Sequence, residues 1–226
     1  MRAGVFGIGL AALLATAAHA AEAPVVVELF TSHGCSSCRP ADAFLTDLAH
    51  RRADVLALAF HVTYWDYLGW KDPYSLAAAT VRQRAYARTL GDDGVYTPQM
   101  VVDGAVGFVG SSRSRGLDAI AHAAPKPVPV RLVRDGVGLL VKLGAGTGQA
   151  RVLLVGFDPA HETEVGRGEN SGASLVETNI VRSLTPIGTW TGAAIDVRQA
   201  LPDGQDFAVL LQAANGRIIG AARLSS

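Results

Sequence analysis

The feature that most constrains this chain is the tetrad Cys35-Ser36-Ser37-Cys38, which holds both of its cysteines and lies between an apolar β-type run and a helical repeat. Val25 to Phe30 is β-branched and aromatic with a single acid, Glu28, and stops at the turn-prone Thr31-Ser32-His33-Gly34, a strand followed by a loop. From Ser36 onward Ala41, Phe44, Leu45 and Leu48 recur at helical spacing, with Asp42 and Asp47 on the outer side. Cys35 therefore falls at the N-terminal end of a helix. Backbone N–H groups there lack intrahelical partners and favour an anion, and the thiolate is the nucleophile of thiol–disulfide exchange. Cys35 is thus the expected nucleophile, and Cys38, one turn further in, the resolving thiol.

Two alternatives stand beside redox chemistry. A structural staple is disfavoured, because a bridge spanning so few residues constrains little of the unfolded chain. A metal site is the other: two thiolates and His33 offer three ligands to copper or zinc, but a closed zinc site takes four and no second Cys or Cys/His cluster is visible. No metal and no cofactor is therefore expected. His33 reads either as a charged ring that stabilises the sulfur or as a solvated loop residue.

Arg2, the apolar stretch Val5 to Ala17 and the small-residue ending Ala18-His19-Ala20 have the pattern of a secretory signal peptide over residues 1–20. The stretch is shorter than the ~20 residues a bilayer span requires. A periplasmic or secreted protein without stable membrane insertion is the expectation, and such a compartment tolerates a disulfide. Lys plus Arg and Asp plus Glu are 20 each, so the electrostatic footprint of a nucleic-acid binder is missing. A composition 49% hydrophobic and 18% charged is that of a packed globular chain.

Val55 to Val62 reads as a second buried strand, and Ser75 to Leu90 as an Ala-rich helix closed by Gly91. Met100 to Val102 and Ala105 to Val109 flank Asp103-Gly104, a dipeptide suited to a type I′ turn, and predict a hairpin. Leu117 to Ala124 adds a last helix. This order predicts an α/β sheet mixing parallel and antiparallel pairs over residues 24–124. Pro125-Lys126-Pro127-Val128-Pro129 then breaks regular structure and marks a boundary. Beyond it, Val130 to Val133, Leu139 to Leu143, Val152 to Phe157, Leu175 to Val181, Ala193 to Val197, Phe207 to Gln212 and Ile218 to Leu224 predict an antiparallel β-sandwich over residues 130–226.

The segment Glu28 to Cys38 resembles the first strand and active-site loop of thioredoxins and glutaredoxins. Val95-Tyr96-Thr97-Pro98-Gln99-Met100-Val101-Val102-Asp103-Gly104 resembles the glutaredoxin segment in which a cis-proline precedes the hairpin. The resemblance implies a thioredoxin/glutaredoxin-like N-terminal domain in which Thr97 and Pro98 face the substrate. It also implies that Glu28 corresponds to the buried acid that accepts a proton from the resolving cysteine. Ser36-Ser37 stands where thioredoxins carry Gly-Pro, a pair that tunes redox potential, so the direction of exchange stays open. Nearly all of the chain beyond residue 20 is similar to an exported bacterial thioredoxin-like family, domain of unknown function family 1223. The resemblance rests on the cysteine loop, on Tyr64-Trp65-Asp66-Tyr67-Leu68-Gly69-Trp70-Lys71-Asp72-Pro73, and on Arg167-Gly168-Glu169-Asn170. It implies a fold and a compartment, and no established substrate.

In the aromatic stretch, Trp65 and Tyr67 combine large contact area with a polar tip. They read either as a wall of a client-peptide groove or as a loop packed on the core. Arg167 to Asn170 reads as a binding loop or as solvated charge. The expected function is thiol–disulfide exchange on protein or small-molecule thiols. The competing expectation is a non-catalytic metal- or peptide-binding module of the periplasm, favoured by the β-rich half that simple thioredoxins lack.

Overall fold

Val25–Thr31 forms the first strand, β1, and its residues alternate between two covered faces: Val26 and Phe30 enter one core, Val27 and Leu29 the other. The computed structural model describes residues 23–224, so the expected signal peptide at 1–20 lies outside the described residues. After β1 the chain passes through the cysteine loop and a 3₁₀ turn, Ser36–Cys38, into α1 (Arg39–Arg51), which buries Ala41, Phe44, Leu45 and Leu48. β2 (Val55–His61) returns parallel to β1. α2 (Ala77–Leu90) ends on Gly91, whose φ of 75° supplies the left-handed cap that a side chain with a Cβ disfavours.

β3 (Gln99–Val102) and β4 (Val106–Val109) form the expected hairpin, with φ of 48° at Asp103 and 61° at Gly104, both positive as a type I′ turn requires. A Cβ on Gly104 would lie 1.9 Å from the Gly216 carbonyl oxygen, so this turn backs directly onto the C-terminal half. α3 (Arg113–Ala121) starts earlier than the apolar pattern implies, because its first turn is polar and held by Arg113, which reaches Asp47 and lies over the Phe44 ring.

The C-terminal half contributes β5 (Val130–Asp135), β6 (Gly138–Leu143), β7 (Ala150–Glu164), β8 (Ser174–Trp190), β9 (Ile195–Ala200), β10 (Asp206–Ala213) and β11 (Ile218–Arg223). The expectation of a thioredoxin-like α/β domain followed by a separate sandwich is overturned here. Strands of both halves share one mixed eight-stranded sheet in the order β11-β10-β7-β8-β2-β1-β3-β4, with β5-β6-β9 as a small second sheet. Strands dominate, and the described residues hold three α-helices.

The physical reason lies in β7 and β8. Their apolar runs predict short strands, but the polar stretch Asp158 to Glu164 and the mixed stretch Arg182 to Thr189 extend the same ladder to 15 and 17 residues. Asn179, at φ 53°, donates its side-chain amide to the Ala57 carbonyl at 2.8 Å and helps seat β8 beside β2.

Three cores follow from this sheet. α1 and α3 cover one face of the β1–β2–β3 region through Phe44, Leu45, Leu48 and Ile120. The small sheet covers β7 and β10 through Leu132, Val141, Trp190, Val209 and Leu211. On the opposite face one continuous cluster runs under α2 from Phe30 and Phe60 to Leu153, Val155 and Leu210. The far end of the β7–β8 hairpin projects past this sheet and over the cysteine loop.

Candidate functional site

Cys35 and Cys38 form a disulfide where the 3₁₀ turn enters α1. Both are fully buried. The loop between β7 and β8 accounts for the cover. Glu169 accepts hydrogen bonds from the Ser36 backbone N–H at 3.0 Å and from the Ser36 hydroxyl at 2.7 Å. Asn170 donates to the His33 carbonyl at 2.8 Å. The segment Arg167 to Asn170 is therefore the tip that rests on the two-cysteine loop, through three hydrogen bonds made by two of its residues. Glu169 is held below the usual carboxylate range by the Ser36 N–H first and by the Ser36 hydroxyl second.

The Thr97–Pro98 peptide bond is cis, the isomer the glutaredoxin resemblance implies. Trp65 connects this segment to the cysteine loop: its indole N–H donates to the Thr97 hydroxyl at 2.8 Å, while its ring lies within 3.6 Å of where a Cβ on Gly34 would project. Trp70 packs in the same manner against Gly166 and Gly168 of the covering loop. The two tryptophans thus behave as packed connectors. Tyr67, 79% exposed, extends into solvent.

Glu28 is fully buried under α2, with both carboxylate oxygens engaged. Arg82 Nη2 and the Tyr86 hydroxyl donate to one oxygen at 2.9 and 2.7 Å, and Arg82 Nε donates to the other. Gln212 of β10 accepts from Arg82 Nη1 at 3.1 Å and donates to the Tyr86 hydroxyl at 3.1 Å. Beside the role of proton acceptor implied for Glu28, the structure sets a structural one: its oxygens are committed to a guanidinium and a phenol in a network that ties β1 to β10. A groove of about 560 Å³ borders this network between α2 and the β7–β8–β10 sheet, and none of its lining residues belongs to the cysteine loop.

Asp42, in the first turn of α1, lies four residues beyond Cys38. The sequence reading set it on the outer side, but it is partly buried and accepts a hydrogen bond from the Thr31 hydroxyl at 2.8 Å. Burial, and next the Glu177 carboxylate, push Asp42 up to about 7.

His33 takes neither of its expected positions. Its ring turns inward from the cysteine loop and joins His61, Asp72 and Glu177 in a fully buried polar cluster. Asp72 organises the loop from behind: one oxygen accepts from the His33 backbone N–H at 2.8 Å and from His61 Nδ1 at 2.7 Å, and the other from the Tyr74 N–H at 2.9 Å. Burial opposes a charge on His61, but the Glu177 and Asp72 carboxylates outweigh it and push the ring up to about 9. Burial also opposes the charge on Asp72, and the charged His61 ring overrides that, holding the carboxyl well below its usual range.

Sequence reasoning missed this cluster. His61, a lone polar residue in the apolar run Val55 to Val62, was its one available signal. Glu177 gave none, because its partners lie far away in sequence.

The site is thus a covered disulfide at a helix start, braced by a cis-proline segment and backed by buried histidines and acids. The chain belongs to the family described as Protein of unknown function (DUF1223), whose model matches residues 26–212. It is similar to an X-ray structure of a protein from Agrobacterium tumefaciens, at 34% identity and a TM-score of 0.77, covering 90% of this chain and 95% of that one. HBP35 of Porphyromonas gingivalis is similar in fold, at 13% identity and a TM-score of 0.58, covering 89% of this chain and 74% of that one. No curated protein matches.

Proposed function

We propose that this protein carries out thiol–disulfide exchange through Cys35 and Cys38 in an oxidising compartment outside the cytoplasm, on protein or small-molecule thiols. The observation that carries this reading is the Cys35–Cys38 disulfide at the start of α1, joined through Trp65 to the cis Thr97–Pro98 segment. A bond closing so short a loop is a poor staple, which supports a redox role. The arrangement of strand, two-cysteine loop, helix and cis-proline supports a relationship to the thioredoxin superfamily at this site. Among the described residues no helix is long and apolar enough to cross a membrane.

In the oxidising direction, a substrate thiolate attacks Cys35 Sγ and the Cys35–Cys38 bond breaks, with its electron pair going to Cys38. A second substrate thiolate then attacks the substrate sulfur of the mixed disulfide, and Cys35 leaves as a thiolate. The substrate is oxidised to a disulfide and the protein is left as a dithiol. In the reverse direction Cys38 must lose a proton before attacking Cys35, and Asp42, one turn along α1, is the acid suited to accept it.

The test is a mixture of reduced Cys38→Ser protein with a disulfide-bonded peptide. A mixed disulfide on Cys35 is expected to accumulate, while Cys35→Ser forms none. Failure of the unaltered protein to exchange with either glutathione disulfide or such a peptide overturns the proposal.

A further inference from the structure

The exchange chemistry makes no use of the buried His33–His61–Asp72–Glu177 cluster, and its geometry follows a pattern of its own. Both imidazoles present Nδ1 towards Asp72 and Nε2 towards Glu177. His61 Nδ1 is 2.7 Å from an Asp72 oxygen, which in the neutral ring fixes the proton on Nδ1 and leaves the Nε2 lone pair free. That Nε2 is buried, has no hydrogen-bond partner and lies 3.5 Å from Glu177 Oε1. His33 Nε2 contacts Glu177 Oε2, and its Nδ1, 3.6 Å from Asp72, is likewise buried without a partner. One donor atom from each of His33, His61 and Glu177 falls within 4.8 Å of the others.

We propose that His33 Nε2, His61 Nε2 and the Glu177 carboxylate bind a divalent metal ion of the zinc class, with Asp72 orienting the imidazoles from behind. Two imidazole nitrogens and one carboxylate are a donor set zinc takes when it keeps a further position open. A carboxylate on the far nitrogen of a ligating imidazole is the usual second partner, fixing its tautomer and raising its basicity. The half-buried Tyr74 ring lies 5.6 Å from His33 and 5.8 Å from His61 on one side, and 4.8 Å from the half-buried His161. The site is independent of the cysteines, whose sulfurs are held in the disulfide and cannot ligate as thiolates.

The experiment uses the purified protein with its disulfide intact, stripped with a chelator and dialysed against Zn²⁺ alone. One equivalent per chain is expected, with a rise in Tm. Co²⁺ in place of zinc is expected to give a visible spectrum without sulfur-to-metal bands. Glu177→Gln and His61→Gln are expected to lose the bound metal, Asp72→Asn to weaken binding on the order of 10–100-fold, and His161→Gln to retain it. Because a buried substitution can unfold the chain, imidazole ¹⁵N spectra of the unaltered protein are recorded in parallel, where zinc must move two Nε2 resonances. No binding by the disulfide form, binding only after reduction, unmoved imidazole signals, or folded Glu177→Gln and His61→Gln proteins with full occupancy would each overturn the proposal.

Discussion

Glu169, at the tip of the β7–β8 loop, sits on the backbone N–H of Ser36, the residue that follows Cys35. A helix N-terminus stabilises a thiolate through its free N–H groups, yet here one of those donors is taken by a carboxylate that also places negative charge beside the sulfur. Glu169 stays ionised at mildly acidic pH because the Ser36 contacts hold it below the usual carboxylate range. In the reduced protein, Glu169→Gln is therefore expected to move the pH profile of Cys35 alkylation to lower pH and to accelerate labelling on the order of two- to fivefold, the scale of an exposed charge interaction. Cys35 is expected to label ahead of Cys38 in both proteins. Identical profiles would mean that the loop does not rest on Ser36 once the disulfide is open.

Asp42 makes stability depend on pH in a defined sense. Its carboxyl rises from 3.8 in the unfolded chain to about 7 in the folded one, so the folded state binds more protons across that window and stability falls as pH rises through it. The groups facing Asp42 are Thr31 on β1, His61 on β2, Glu177 on β8, and Asp72. Asp42→Asn keeps an acceptor for Thr31 and removes the titration. With chelator present, the Tm advantage of the variant over the parent should grow between pH 3.8 and about 7 and then level off. The same variant should slow the attack of Cys38 on a mixed disulfide near neutral pH. A Tm difference that is flat with pH contradicts the raised carboxyl.

Trp65 couples the two-cysteine loop to the cis-proline segment by a single hydrogen bond to Thr97 and by its packing on Gly34. Trp65→Phe retains most of the ring and removes the donor. The expected result is a raised KM for a disulfide substrate with an unchanged reduction potential of the cysteine pair, since the indole N–H touches Thr97 of the segment proposed to face the substrate and neither sulfur. A shifted potential with constant KM would assign Trp65 to the cysteines instead.

How far the sequence led depended on how local each feature is. β1, the cysteine loop, α1, α2 with its Gly91 cap and the Asp103-Gly104 hairpin follow from periodicity and turn chemistry within a few residues, and all are present. The division into two architectures failed because strand partners are not written in any one segment. Nothing in Val55 to Val62 shows that its free edge will be taken by a strand more than a hundred residues later, and nothing in Asp158 to Glu164 shows that a polar stretch will continue a ladder. The same distance in sequence hid the covering loop from Ser36, and Glu177 from His33 and His61. Within reach of local reasoning, His61 in an otherwise apolar strand was the strongest sign of a buried polar site.

Glu28 offers a test of structural against proton-transfer roles, because its only partners among the described residues are Arg82 and Tyr86 on α2, apart from the Gln212 that completes their network. If it supports the sheet, Glu28→Gln leaves the Arg82 guanidinium buried without a counter-charge, a loss of about 3–5 kcal/mol from a total stability on the order of 5–15 kcal/mol. The pH profile of exchange should not move, since Asp42 is the acid proposed to take the Cys38 proton. Combining Glu28→Gln with Arg82→Met removes both charges and should recover a large part of the loss, because an uncompensated buried charge costs more than the pair contributes. Urea unfolding of the three proteins measures the cycle, and exchange rates across pH measure the chemistry. A Glu28→Gln protein of parental stability whose exchange loses its dependence on pH near neutrality would reverse the assignment, returning the proton to Glu28 and leaving Asp42 as the structural acid.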